Sequence, residues 1–129
     1  MEPVKTNDAA SPINEEEFNA AQKEATEDTE ASLVMKLKKP LMYNGKKYEE
    51  LHFDFESLTG GDSLEVENEI QVLTGRVVVA SAFNTEYLIG ISCRACAEPI
   101  GTDAFKMMSL YDFNRIRDKA RNFLLRSEQ

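Results

Sequence analysis

Residues 37–62 read LKKPLMYNGKKYEELHFDFESLTGGD, and the turns inside this span decide the fold. Asn44-Gly45 is the pair best suited to a two-residue hairpin turn, because both residues tolerate positive φ. Upstream of it, Leu33, Met35 and Leu37 alternate with Val34, Lys36 and Lys38. Downstream, Leu51, Phe53 and Phe55 alternate with His52, Asp54 and Glu56. Period-two alternation on both sides of a turn predicts a half-buried β-hairpin over residues 33–56.

The register of that hairpin contains a conflict. A two-residue turn pairs Tyr43 with Lys46 and, continued, sets Leu37 opposite His52. Directly paired residues share a face, so the two apolar rows would point to opposite sides. One extra residue has to be absorbed. Pro40 cannot donate to a ladder, and Glu49-Glu50 breaks the alternation. A β-bulge near one of them is therefore predicted, returning Leu37 and Met35 to the face of Phe53 and Phe55.

Working outward, Gly60-Gly61 ends the second strand, and Thr59 or Asp62 caps a helix over about 62–74. Val66, Ile70 and Leu73 form its apolar stripe, and Glu65, Glu67 and Glu69 lie early, where the helix dipole favours negative charge. Gly75 stops it. The segment RVVVASAF (76–83) is a strand by propensity, or else an extended connector that buries its valines against the helices. Asn84 or Thr85 opens a second helix, TEYLIGISCRACA, over 85–97. Tyr87, Leu88, Ile91 and Ala95 share one face, and Ile89, Cys93 and Cys96 share another. A helix apolar nearly all round is buried or awaits a partner. Glu98 to Gly101 breaks it. The last helix, over 110–126, has Ser109 and Asp112 as a capping-box variant and a stripe of Leu110, Phe113, Ile116, Ala120 and Phe123 or Leu124.

The chain has 129 residues, about one domain's worth. Its net charge of −8 is unevenly placed. Residues 1–32 carry nine acids against Lys5 and Lys23, which is −7; residues 33–129 carry 14 acids and 13 bases, which is −1. Residues 1–32 also lack large apolar groups apart from Val4, Ile13 and Phe18, so they are expected to be an acidic, mostly disordered extension. A marginal helix from Asn14, with Phe18, Ala21 and Ala25 as a thin stripe, is its only local signal. The fold class is thus α+β: an N-terminal β-hairpin with a bulge, followed by about three α-helices and preceded by the acidic tail, with residues 33–129 as the folded domain.

No apolar run approaches the roughly 20 residues that span a bilayer. The opening MEPVKTNDAASP has no apolar core, so a secretory signal is not expected and the cytosol is.

Chemistry-bearing groups are few. Cys93-Arg94-Ala95-Cys96 lacks the second pair of a zinc site, and it falls late in a helix rather than at the N-terminus that activates a thiol. Buried packing is its expected role. His52, the single histidine, falls on the outer strand face with no nucleophile beside it in sequence. Gly60-Gly61-Asp62 lacks the Lys-Ser/Thr of a phosphate loop. Arg115, Arg117, Lys119, Arg121 and Arg126 are interspersed with acids along an apolar stripe, an ordinary amphipathic helix rather than a nucleic-acid reader. No catalysis, cofactor or metal is expected. Met107-Met108 with Phe105 and Leu110 is an adaptable apolar cluster.

The order of these parts resembles the tail assembly chaperones of tailed bacteriophages, in the family named after a Mu-like tail protein. The shared features are Leu37 to Pro40, Asn44-Gly45, Leu51, Thr59 to Asp62, and SLYDFNRIRDKARNFLL (109–125), with its Leu-Tyr-Asp-Phe and closing Asn-Phe-Leu. The similarity covers roughly residues 33–126. It implies a non-enzymatic assembly factor in the cytoplasm of a bacterial host. Such a factor binds the aggregation-prone tape measure protein, keeps it soluble, helps recruit tail tube subunits, and is absent from the mature virion. No nucleic acid or membrane partner is implied. The alternative is a minor structural or adaptor protein of the phage tail. For either role the candidate partner-binding residues are Leu88, Ile91, Met107, Met108, Phe113, Ile116, Phe123 and Leu124, with self-association as a further use of the same surface.

Overall fold

The computed structural model describes residues 33–127. The acidic extension and the helix predicted from Asn14 lie outside the described residues. Strands β1 (Leu33–Tyr43) and β2 (Lys46–Phe53) form a two-stranded antiparallel sheet. Both turn residues have positive φ, 50° at Asn44 and 77° at Gly45, as the predicted turn demands.

The bulge is present and larger than predicted. Next to the turn the pairs are Tyr43 with Lys46, Met42 with Lys47 and Leu41 with Tyr48. Beyond it they are Lys36 with Glu50, Met35 with Leu51, Val34 with His52 and Leu33 with Phe53. Leu37 to Pro40 therefore face only Glu49, so β1 absorbs three residues where one was expected. Any odd number restores the shared face, and Met35, Leu37, Leu41, Tyr48, Leu51 and Phe53 are all buried. The excess has a partner outside the sheet. The backbone N–H groups of Lys38 and Lys39 donate to Asp112 Oδ1 (2.9 Å) and Oδ2 (3.2 Å) instead of to β2.

Four helices follow, one more than predicted: α1 (Gly60–Thr74), α2 (Thr85–Ala95), α3 (Thr102–Met107) and α4 (Leu110–Ser127). Thr59 is the cap of α1, and Asp62 is its capping-box partner. Gly75, at φ 76°, closes the helix by donating its N–H to Gln71. Because α1 begins at Gly60, Glu65, Glu67 and Glu69 fall beyond the first turn, where the dipole acts weakly. Two of them serve another end. Arg94 of α2 reaches Glu65 at 2.7 Å and Glu69 at 2.9 Å, with Asp62 at 3.3 Å, and so ties α2 to α1. Asn84 caps α2 by accepting from the Tyr87 N–H at 2.8 Å.

RVVVASAF is not a strand. It is a connector with one 3-10 turn, Ser81–Phe83. Only half of the alternative reading holds, since Val78 packs on the core while Val77 and Val79 are exposed. Residues 95–97 cover the outer edge of β2, with Asp54 N–H donating to Ala95 O (2.9 Å) and Ala97 N–H to His52 O (2.8 Å). The N-terminal end of α4 covers the middle of β1. Exposed strand edges invite unwanted pairing, and each of these is engaged within the chain over part of its length.

Helix α2 is the central helix, packed against both α1 and α4. A run of aromatic rings ties the sheet to the C-terminal helices: Phe105 to Phe53 (6.5 Å between centroids), Phe53 to Phe55 (5.9 Å) and Phe55 to Phe123 (5.4 Å). Fully burying such a side chain contributes roughly 1.5–3 kcal/mol. Among the described residues no helix is long and apolar enough to cross a membrane.

Candidate partner-binding surface

The predicted site residues do not form one surface. Leu88, Ile91 and Ile116 are only 0 %, 3 % and 1 % exposed. This corrects the expectation that they meet a partner: α2 is apolar nearly all round because α1, α4, α3 and the 3-10 turns Phe55–Ser57 and Ser81–Phe83 pack around it. Phe123 is half-buried and stacked on Phe55, and Leu124 and Met108 are half-buried against the same core. Phe113 is half-buried. Met107, 60 % exposed, is the one predicted contact standing fully at the surface.

The geometry instead opens a cleft of about 190 Å³ where α1, α2, α3 and α4 converge. Ile70, Ile89, Phe113 and Val66 supply its apolar walls, with Thr102 and Lys106 on the α3 side. Leu73 belongs to the same i, i+4, i+7 stripe as Val66 and Ile70, which are buried, yet it is 85 % exposed at the rim. The sequence pattern assigned it to the core because periodicity records direction around a helix and not where the neighbouring helix ends. Gly90 fixes the depth of the cleft. A Cβ there would lie 2.6 Å from Val66 Cγ1, so only glycine lets α2 approach α1 this closely.

More apolar surface surrounds the outer side of α1. Leu64 and Val72 are exposed, as are Val77, Val79 and Phe83 of the connector. Leu64, Val77 and Val78 share a smaller hollow of about 180 Å³ with Glu67, Asn68 and Gln71. None of these was singled out from sequence. The signal was available as the apolar residues of 57–75 that fall off the predicted stripe, Leu64 and Val72. A wider hollow of about 730 Å³ lies over the hairpin. Its walls include Lys36, Lys38, Lys47, Glu50 and His52, so it is suited to charge rather than to an apolar helix face.

A polar cluster also emerges that sequence spacing concealed. Glu98 Oε1 accepts from the His52 backbone N–H (2.9 Å) and from Cys96 Sγ (3.4 Å), while Oε2 lies 2.6 Å from His52 Nδ1. The bond to Glu98 raises the His52 pKa, with burial opposing it. Burial pushes the Glu98 carboxyl up, but the bonds from His52 and Cys96 outweigh it and hold the group below its usual range. Burial pushes the Cys96 thiol up to about 12. Cys93, raised by burial as well, donates to Ile100 O at 3.3 Å. A carboxylate lies between sulfur and imidazole, so the histidine is not placed to take the proton from this thiol. The arrangement locks residues 95–98 to β2 and is not that of an activated nucleophile. Among the described residues no group of three or more His, Cys, Asp or Glu side chains is placed to hold a metal ion.

The two segments that carry the resemblance meet in space. Asp112 of the Leu-Tyr-Asp-Phe segment is buried, and it accepts from the Lys38 and Lys39 amides of Leu-Lys-Lys-Pro, from Ser109 Oγ (3.0 Å) and from Arg115 Nη1 (3.2 Å). Burial raises this carboxyl, but the two amides, the hydroxyl and the guanidinium prevail and keep it below the usual range. No protein-family model matches the chain, and neither a curated protein nor a solved structure is found similar to it.

Proposed function

We propose that the chain is a tail assembly chaperone of a tailed bacteriophage: it holds an apolar helical segment of the tape measure protein in solution and helps bring tail tube subunits to it. The observation that carries this reading is the apolar cleft between α1, α2, α3 and α4, with Leu73 overhanging its rim. An amphipathic helix is recognised by laying its apolar face in such a groove, with anchors at i, i+3 or i+4 and i+7. A long helical protein that cannot bury its apolar faces until the tail forms presents that kind of face repeatedly.

Two features suit a transient holder. The cleft is shallow, so it takes an anchor or two and not a whole helix. Its rim mixes Leu73 with Thr74, Glu86 and Lys106, a polar border around an apolar centre. Met107 and Leu110, exposed nearby in sequence at the α3–α4 junction, extend the adaptable apolar surface.

The test is co-expression with a tape measure protein fragment, scoring soluble yield and co-purification. The expected result is rescue of solubility by the parent chain and loss of rescue with Leu73→Glu. Because Leu73 is exposed, that change is expected to leave folding stability within about 0.5 kcal/mol of the parent. Equal rescue by the variant, or no rescue by the parent, would exclude the cleft. Recovery of the chain from purified virions by mass spectrometry would favour the adaptor reading instead.

A further inference from the structure

The described cations divide into two groups. Arg94, Arg115, Arg117 and Arg121 lie within 4 Å of carboxylates, and so do Lys47 and Arg76. Lys46, Lys106 and Arg126 have no such partner among the described residues, and neither do Lys36, Lys38 and Lys39. The last three stand together on the β1 bulge. Arg115 joins them, donating to the Lys36 carbonyl at 3.0 Å. Lys38 Nζ and Arg115 Cζ both sit against the exposed Tyr111 ring, at 4.6 Å and 5.3 Å from its centroid. Asp112, the carboxylate nearest this group, is buried and already accepts four hydrogen bonds. Glu49, Glu50 and Glu98, in the neighbouring hollow, pair with Lys47 or His52. Three lysines thus form a cationic face beside the Arg115–Asp112 pair, and the neighbouring Glu49, Glu50 and Glu98 are engaged elsewhere.

We infer that this face is the docking site of the chain's own acidic segment, residues 24–30. Charge and reach both point there. Glu24, Glu27, Asp28 and Glu30 lie three to nine residues before Leu33, the first residue of β1. Lys36 to Lys39 lie three to six residues after it, about 10–20 Å along a strand. A chain of three to nine residues spans at most about 10–30 Å, so the tether is long enough for acid to meet lysine. Tethering of this length supplies an effective concentration in the millimolar range, enough for weak ion pairs to act together. The cleft lies between the helices and stays open throughout.

The test compares amide NMR spectra of the full chain and of its E24Q/E27Q/D28N/E30Q variant. At low ionic strength, shift differences are expected at residues 36–39 and 111–115. They should disappear at about 0.5 M salt, where the screening length falls to a few ångströms. They should also be unchanged over a tenfold range of protein concentration, because the contact is within one chain. The inference is overturned by unchanged spectra, by differences spread equally over Lys46, Lys47 and Lys106, or by differences that grow with concentration, which would make a second copy the occupant.

Discussion

The β1 bulge and the 76–83 connector both leave regular structure, and the molecule treats them in opposite ways. At the bulge, three surplus residues turn their backbone donors away from the sheet. Asp112 takes two of those donors, and Arg115 supplies a donor to the Lys36 carbonyl. The connector receives far less. Arg121 donates to Ala82 O at 2.9 Å and covers the Phe83 ring, while Val77, Val79 and Phe83 stay exposed. The contrast teaches where the stability lies and where it does not. Irregular backbone is secure when a buried side chain completes its hydrogen bonds, and more weakly held when it is pinned only at points such as Val78 and Ala82.

The largest expected effect tests the secure side. Asp112→Ala leaves two part-buried amides and a guanidinium without their acceptor, and should cost about 3–5 kcal/mol in urea unfolding. Its pH signature has a definite sign. The folded Asp112 carboxyl is held below its ordinary value. Its contribution is therefore present above the unfolded pKa of about 3.9 and is lost as pH falls through the folded value. The variant should accordingly show a flatter loss of stability below about pH 4. A change under about 1 kcal/mol would mean that the bulge holds itself without α4.

Gly90→Ala comes next. The added methyl meets Val66 Cγ1, and a branched, buried side chain has little room to yield. A cost of about 1–3 kcal/mol is expected from thermal melts, with the cleft widened. The smallest effect belongs to the connector. Val79→Ala should stay within about 0.5 kcal/mol of the parent, because the side chain is exposed. A larger loss there would erase the contrast with the bulge.

Legibility followed the range of the interaction. Asn44-Gly45, the Thr59 and Asn84 caps and the Gly75 stop were readable because a turn or cap is settled within four residues. The need for an odd shift in the hairpin was readable too, as parity of a period-two pattern. Its size was not, since three residues rather than one depend on Asp112, more than 70 positions away. Helix α3 was missed: six residues show hardly two turns of periodicity, and no side chain caps it. The cleft was half legible. Phe113 was named from its stripe, but Leu73 was assigned to the core and Gly90 drew no notice.

Sequence alone therefore determined the hairpin, the odd register shift, three of the four helices and the concentration of negative charge before Leu33. Those depend on local torsional preference, on side-chain period and on composition. Tertiary structure decided that α2 is sealed while Leu73 overhangs a cleft, that Asp112 completes the bulge, and that His52, Cys96 and Glu98 converge. Each of these depends on which surfaces are brought into contact, and burial is a property of the assembled chain that no single segment carries.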